Sequence, residues 1–185
     1  MAKITCPNNK PQMATVRYKI MKKAEKISGH KRQVIEIEFR KEELRDRVKV
    51  IEILKQEEEL DFVEADIIAT GGNSLEKAEG FGLISKLAEC LGGKAGASRV
   101  VVDKGWISYP HQVGLSGKTV RPKLYIACGI SGSVQHLAGM NRSDFIAAIN
   151  NDPSAPIFYV ADIGLLGDLY EIIPELIKEL KNNKK

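Results

Sequence analysis

From Asp66 onward the sequence alternates short apolar runs with amphipathic stretches of about a dozen residues, a texture that leaves few folds open. Short buried strands separated by helices build β-α-β units, and such units demand a parallel sheet covered on its faces. The expected strands are residues 67–70, 94–98, 124–128, 145–149 and 157–160. Helices are expected at 79–91, 133–139 and 165–181. In the last of these, Leu165, Leu169, Ile172, Ile173, Leu176 and Leu180 recur at spacings of three and four, a single apolar stripe that core packing explains. Pro174 lacks an amide donor, so it is expected to kink that helix or to start a separate final one. The fold class is therefore α/β, a doubly wound parallel sheet with helices on both faces.

The region before Asp66 has a different character. Residues 1–28 are polar, open with Pro7 and Pro11, and carry a short basic, helical-looking tract at 19–26. Residues 34–39 alternate apolar and acidic side chains as a half-exposed strand does, and residues 48–54 read as a strand passing into helix. Together these suggest an N-terminal extension or β arm ahead of one domain of ordinary size, which is what 185 residues can support.

Composition narrows the function classes. With 43% hydrophobic and 28% charged residues, the chain has the make-up of a soluble globular protein, and no apolar run approaches the 18 residues a membrane span needs. The net charge of +4 is carried partly by Lys19, Lys22, Lys23, Lys26, Lys31 and Arg32 and by Lys181, Lys184 and Lys185. No aromatic residues interleave with them to stack bases, so these are solvated faces and no nucleic-acid partner is expected. Cys6, Cys90 and Cys128 are far apart and form no C-x-x-C, which suggests neither a disulfide framework nor a zinc site. The N-terminus lacks the apolar core of a signal peptide, and the expected location is cytoplasmic.

Three glycine-bearing segments follow expected strands: residues 70–74, 129–136 and 162–168. In a parallel sheet the ligand crevice lies at the carboxyl ends of the strands, so all three can line one site. The middle segment is the best phosphate cradle, because glycines admit close backbone approach while Ser131 and Ser133 add hydroxyl donors at a helix start. It is not the G-x-G-x-x-G fingerprint, and tight packing alone would also account for it. His136 and Arg99 are each open to a structural or a functional reading: a satisfied histidine or a ligand contact, a surface ion pair or a site cation. No nucleophile elbow, P-loop or H-E-x-x-H helix is present, and the acidic run Glu57, Glu58, Glu59 and Asp61 reads as a solvated face.

Gly96-Ala97-Ser98-Arg99, Gln112-Val113-Gly114, Leu124-Tyr125-Ile126-Ala127, Gly129-Ile130-Ser131-Gly132 and Gln135-His136-Leu137-Ala138-Gly139-Met140 resemble, in order and spacing, the electron-transfer flavoprotein alpha family. The likeness continues through Asn150, Asp152-Pro153, Ala155-Pro156 and Val160-Ala161-Asp162 to Gly167-Asp168-Leu169. Thr5-Cys6-Pro7 and Arg17 also look like the family, where they close a first domain. The resemblance thus implies that residues 1–32 are a remnant of that domain, either disordered or paired with another chain, and that 33–185 form an FAD-binding domain.

The resemblance further implies FAD contacts from Asn73, Ser98, Arg99, Gln112, Val113, Gly114, Leu115, Ser116, Ser131, Gly132, Ser133, Val134, Gln135, His136, Asn150, Asp168 and Leu169. Ser98 and Arg99 would lie near the flavin ring, Val113 to Ser116 along it, Ser131 to His136 around the pyrophosphate and ring edge, and Asn150 and Asp168 at the adenosine end. A fixed cation such as Arg99 favours anionic reduced flavin; at 4 Å and an effective dielectric of 20 it is worth about 4 kcal/mol as an upper guide. The implied partners are an electron-transfer flavoprotein beta subunit, donor dehydrogenases and an acceptor oxidoreductase. Asn73-Ser74 stand where the family commonly has Arg-Gly, and Leu115-Ser116 where it has Gln-Thr, which takes a guanidinium and an amide from the expected site. Two rival readings are an NAD-dependent enzyme on a similar fold and a structural nucleotide-binding module without redox cycling.

Overall fold

The computed structural model describes residues 62–183 without a break, together with scattered positions between 5 and 53. The chain divides into two compact units, Met1–Leu54 and Lys55–Lys185. In the first unit, residues 33–36, 48 and 50–53 are described; they form no strand and are exposed. The half-exposed strand expected at 34–39 is therefore not seen at 34–36, and residues 37–39 lie outside the described residues. The same holds for the strand expected at 48–54, of which Lys49 and Leu54 lie outside. Most of residues 1–32, including the basic tract apart from Glu25, lies outside as well.

In the second unit, five parallel strands form one sheet in the order β2-β1-β3-β4-β5: β1 Ile67–Gly71, β2 Lys94–Ala97, β3 Leu124–Cys128, β4 Ile146–Asn150 and β5 Ile163–Leu166. Ile68 pairs with Lys94 on one side and Tyr125 on the other, so β1 lies between the strands that follow it in either direction. The order reverses between β1 and β3, and a doubly wound sheet opens a crevice at such a point.

Successive strand residues face opposite layers, and the two cores show it. Ala69, Ile126, Cys128 and Ile149 pack with Phe81, Ile84, Leu87 and Ile173 on one face. Ile68, Tyr125, Ala127 and Ala148 pack with Met140, Ile157 and Phe62 on the other. Burial on both faces is why the strands read as near-continuous apolar runs and not as alternation. β5, at the edge, is exposed along its whole length.

Helix α1, Phe81–Leu91, buries Phe81, Ile84, Leu87 and Ala88 against the sheet. It stops at Gly92, whose φ of +68° is left-handed, and the amides of Gly92 and Gly93 close back onto the carbonyls of Glu89 and Ala88. A short helix α2, Arg99–Asp103, follows β2 directly, and α3, Val134–Met140, follows β3. Helix α4, Leu169–Asn182, starts at Asp168, which caps it by accepting from the Tyr170 amide at 2.7 Å.

Two expectations need correction. The run 157–160 is not a strand: Pro156–Tyr159 is a 3-10 turn with proline in its first turn, and the Ile157 amide bonds the Ser131 carbonyl instead of a sheet neighbour. The fifth strand is Ile163–Leu166, so the last helix begins at Leu169 and not at residue 165. Pro174 does not start a separate final helix; it lies inside one continuous element. Leu169 and Ile173, both ahead of Pro174, anchor the start of α4 in the core.

Candidate functional site

A cavity of about 710 Å³ opens at the carboxyl ends of the strands, over the point where the strand order reverses. Its size lies within the ordinary range of cofactor pockets. Four strand-to-helix turns and one loop meet there. The first, after β1, brings Gly72, Asn73 and Ser74; the second, after β2, brings Ser98, Arg99 and Val100. The third, after β3, brings Gly129 to Ser131, Ser133, Gln135 and His136, and the fourth, after β4, brings Asn150 to Asp152 and Ala155. The loop supplies Val113 to Ser116.

Backbone contacts lock these segments together. The Gly72 amide bonds the Cys128 carbonyl at 2.8 Å, and a side chain at Gly72 would run into the Gly129 carbonyl, so the first and third turns touch backbone to backbone. Gly129 itself has φ +62°, a conformation glycine adopts without cost. The Ser98 amide bonds the Gly71 carbonyl at 3.0 Å, which hangs the second turn on the first. The Leu115 amide bonds the Gln135 carbonyl at 2.7 Å, and Gly139 lies against the Gly114 backbone, so the loop is fastened to α3.

The side chains fall into two groups. Buried and fixed are Asn150, whose Nδ2 donates to the Ile130 carbonyl at 3.0 Å while its Oδ1 accepts from the Asp152 amide, and His136, whose Nε2 meets the Tyr125 hydroxyl at 2.9 Å. Burial pushes His136 down to about 4, so the ring is neutral at pH 7. His136 Nδ1 has no hydrogen-bond partner, a state shared among the described residues by Thr70 Oγ1. Exposed at the rim are Arg99, paired with Asp103 at 3.2 Å, and Asn73, whose Oδ1 accepts from Lys104 Nζ at 2.6 Å. Lys104 thus brings a cation to the position where the resemblance left one missing. Asp152 is held below the usual carboxylate range, chiefly by the Ser154 hydroxyl and then by the Ser154 amide.

Most of the residues expected from the sequence converge on this cavity: Asn73, Ser98, Arg99, Val113, Gly114, Leu115, Ser116, Ser131, Ser133, Gln135, His136 and Asn150 all line it. Asp168 and Leu169 line a smaller recess of about 80 Å³ that shares Ser74, Gly129, Asn150 and Asn151 with the large cavity. The three glycine-bearing segments therefore do meet, the third by way of this recess. Gln112, Gly132 and Val134 line neither. Gln112 is buried beneath the loop and donates to Ser116 Oγ at 3.1 Å. Gly132, at φ +90°, packs on the backbone of Ile157, and Val134 is 78% exposed. Lining residues that were not among the expected contacts are Gly72, Ser74, Val100, Gly129, Ile130, Ala155, Asn151 and Asp152. The signal for the last two was available, because they directly follow Asn150 at a strand's carboxyl end.

Among the described residues no cluster of histidine, cysteine or carboxylate side chains could hold a metal, and no helix is long and apolar enough to cross a membrane. Residues 61–141 match the model of the electron transfer flavoprotein FAD-binding domain. The whole chain is 51% identical to an electron transfer flavoprotein subunit alpha of Thermoanaerobacterium thermosaccharolyticum, covering 56% of that protein. It is 45% identical to the acryloyl-CoA reductase electron transfer subunit beta of Anaerotignum propionicum, covering all of this chain and 52% of the relative. It is 41% identical to the lactate dehydrogenase (NAD(+),ferredoxin) subunit LctC of Acetobacterium woodii, again over the whole chain and 45% of the relative. The chain spans about half the length of these curated relatives.

Proposed function

Because this chain belongs to the electron transfer flavoprotein alpha family and carries its FAD-binding domain, we propose that it holds FAD across the carboxyl ends of its sheet and relays electrons between protein partners. The supporting observation is the convergence of four strand-end turns and the Val113–Ser116 loop on one cavity of about 710 Å³. The flavin, when bound, would take up and release electrons, and the protein supplies position and electrostatics.

The donor set suits a dinucleotide. Ser98, Ser131 and Ser133 offer hydroxyls to phosphate or ring oxygens, and the Lys104–Asn73 pair adds positive charge at the rim. Asn150 is held rigid by its own two hydrogen bonds. Asp168 uses Oδ1 as a helix cap, which leaves Oδ2 to accept from a ribose hydroxyl or an amine. An unmatched buried nitrogen on a cavity-lining residue, His136 Nδ1, is what a site awaiting a polar ligand presents.

In this reading the partners are a beta subunit of the same flavoprotein, donor dehydrogenases and an acceptor oxidoreductase, with no nucleic acid, in the cytoplasm. In the same reading the FAD domain runs over residues 33–185. The test is to add FAD to the purified chain, alone and with a beta subunit, and to titrate the complex anaerobically with dithionite while recording the visible spectrum. Reversible reduction of bound flavin is the expected result. Failure of FAD to bind in either setting would overturn the proposal, and bound flavin that does not cycle would leave a structural module in its place.

A further inference from the structure

Tyr125 is the second residue of β3 and is fully buried, a site a phenol occupies at little cost only if its hydroxyl is paired. The partner is His136: the phenol oxygen lies 2.9 Å from Nε2, in a contact between the sheet and α3 that solvent does not reach. The direction of that bond decides where His136 keeps its proton, because neutral imidazole has one donor and one acceptor nitrogen while a phenol can serve either way. The surroundings break the symmetry. Nε2 is the one hydrogen-bond partner of the phenol among the described residues, so a phenol that accepted there would leave its own proton buried without an acceptor, and donating to Nε2 avoids that cost. The Val113 backbone, for its part, favours a proton on the imidazole, and Nδ1 is the nitrogen without a hydrogen-bond partner.

We infer that Tyr125 is a positioning residue for the cavity: it donates to His136 Nε2 and so fixes the imidazole as the neutral Nδ1–H tautomer. The ring cannot turn without losing the phenol, and its remaining proton stays on the one nitrogen that still needs an acceptor. Burial supports the assignment from both sides, since it lowers the histidine to about 4 and raises the tyrosine far above its ordinary value, so neither group changes charge near neutrality. The tautomer is a property of the chain. Its use in orienting a flavin rests on the function proposed above.

The test begins without cofactor. Long-range proton–nitrogen NMR of the 15N-labelled full chain at pH 7 reads the protonation of each imidazole nitrogen. His136 is picked out from His30 and His111 by the signals that vanish in His136→Gln. The wild-type chain is expected to show a pyrrole-type Nδ1 and a pyridine-type Nε2. Tyr125→Phe should lose that pattern, moving to Nε2–H or to an average of the two. A wild-type His136 protonated on Nε2 or on both nitrogens would overturn the inference, and this reading stands even if Tyr125→Phe does not fold. A folded Tyr125→Phe with the wild-type pattern would overturn it too. FAD affinity measured on the same samples is expected to fall roughly fivefold in Tyr125→Phe, the loss that misplacing one neutral hydrogen bond brings. Absence of FAD binding in the wild type would count against the proposed function and leave the tautomer result untouched.

Discussion

Arg99 opens α2 with its side chain 68% exposed and its Nε 3.2 Å from Asp103 Oδ2, one helical turn on. The guanidinium is a surface ion-pair member, and it also lines the cavity. The surroundings decide its strength. The upper guide of about 4 kcal/mol for a cation beside a reduced flavin assumes an unscreened, unpaired charge. Solvent over most of the side chain and a carboxylate at its elbow reduce the effect to about 1 kcal/mol or less. Arg99→Ala is therefore expected to lower the midpoint potential of bound FAD by roughly 40 mV or less, on the scale of 59 mV per tenfold change. Asp103→Asn should move the potential the opposite way, since it frees the guanidinium. Spectroelectrochemistry of the two variants checks both signs, and a shift of the same sign in each would mean that Arg99 acts through structure and not through charge.

At the scale of elements, β1, β3 and β4 were legible because their apolar runs are short and almost wholly buried, and helix α1 because its buried residues recur at helical spacing. The last third misled for a physical reason. Residues 157–160 are as apolar and β-prone as any strand, yet Pro156 cannot donate and the run packs as a turn against Ser131. The true fifth strand, with exposed Ile163, Leu165 and Leu166, lacks the burial that would mark it. Leu165 fell into the helical spacing by coincidence, and the better signal was Asp168, an N-cap residue just after Gly167. The site was legible on the same terms: turns at strand ends were found, while Gln112 and Gly132, which support the site from below, look no different in sequence from residues that line it. The cap gives a prediction at this scale. Asp168→Ala should destabilise the fold by about 1 kcal/mol, the usual cost of losing an N-cap acceptor. Chemical denaturation should show it as a lower midpoint with unchanged slope, and Asp168→Asn, which keeps an acceptor, should recover most of the loss.

Over the whole molecule, the cavity exists because two cores hold one sheet between them, and His136 belongs to the wall where the second core meets the ligand space. That placement couples the site to global stability through pH. In the unfolded chain His136 titrates near its ordinary 6.5, whereas burial holds it down to about 4 in the fold. Between these values the unfolded state binds the extra proton, so acidification favours unfolding: the contribution is intact above pH 6.5 and is lost as pH falls through the window. The slope reaches about 1.4 kcal/mol per pH unit, and the total is on the order of 3 kcal/mol. Carboxylates titrate in the lower part of the same window, so the comparison that isolates the effect is the wild-type chain against His136→Gln, unfolded in urea at several values from pH 4 to 7.5. The stability difference between the two should narrow steadily below pH 6.5, because only the wild type pays for keeping a buried imidazole neutral. A difference that stays constant across that range would show that His136 can protonate in place, and would place the ring in a more polar wall than the fold now gives it.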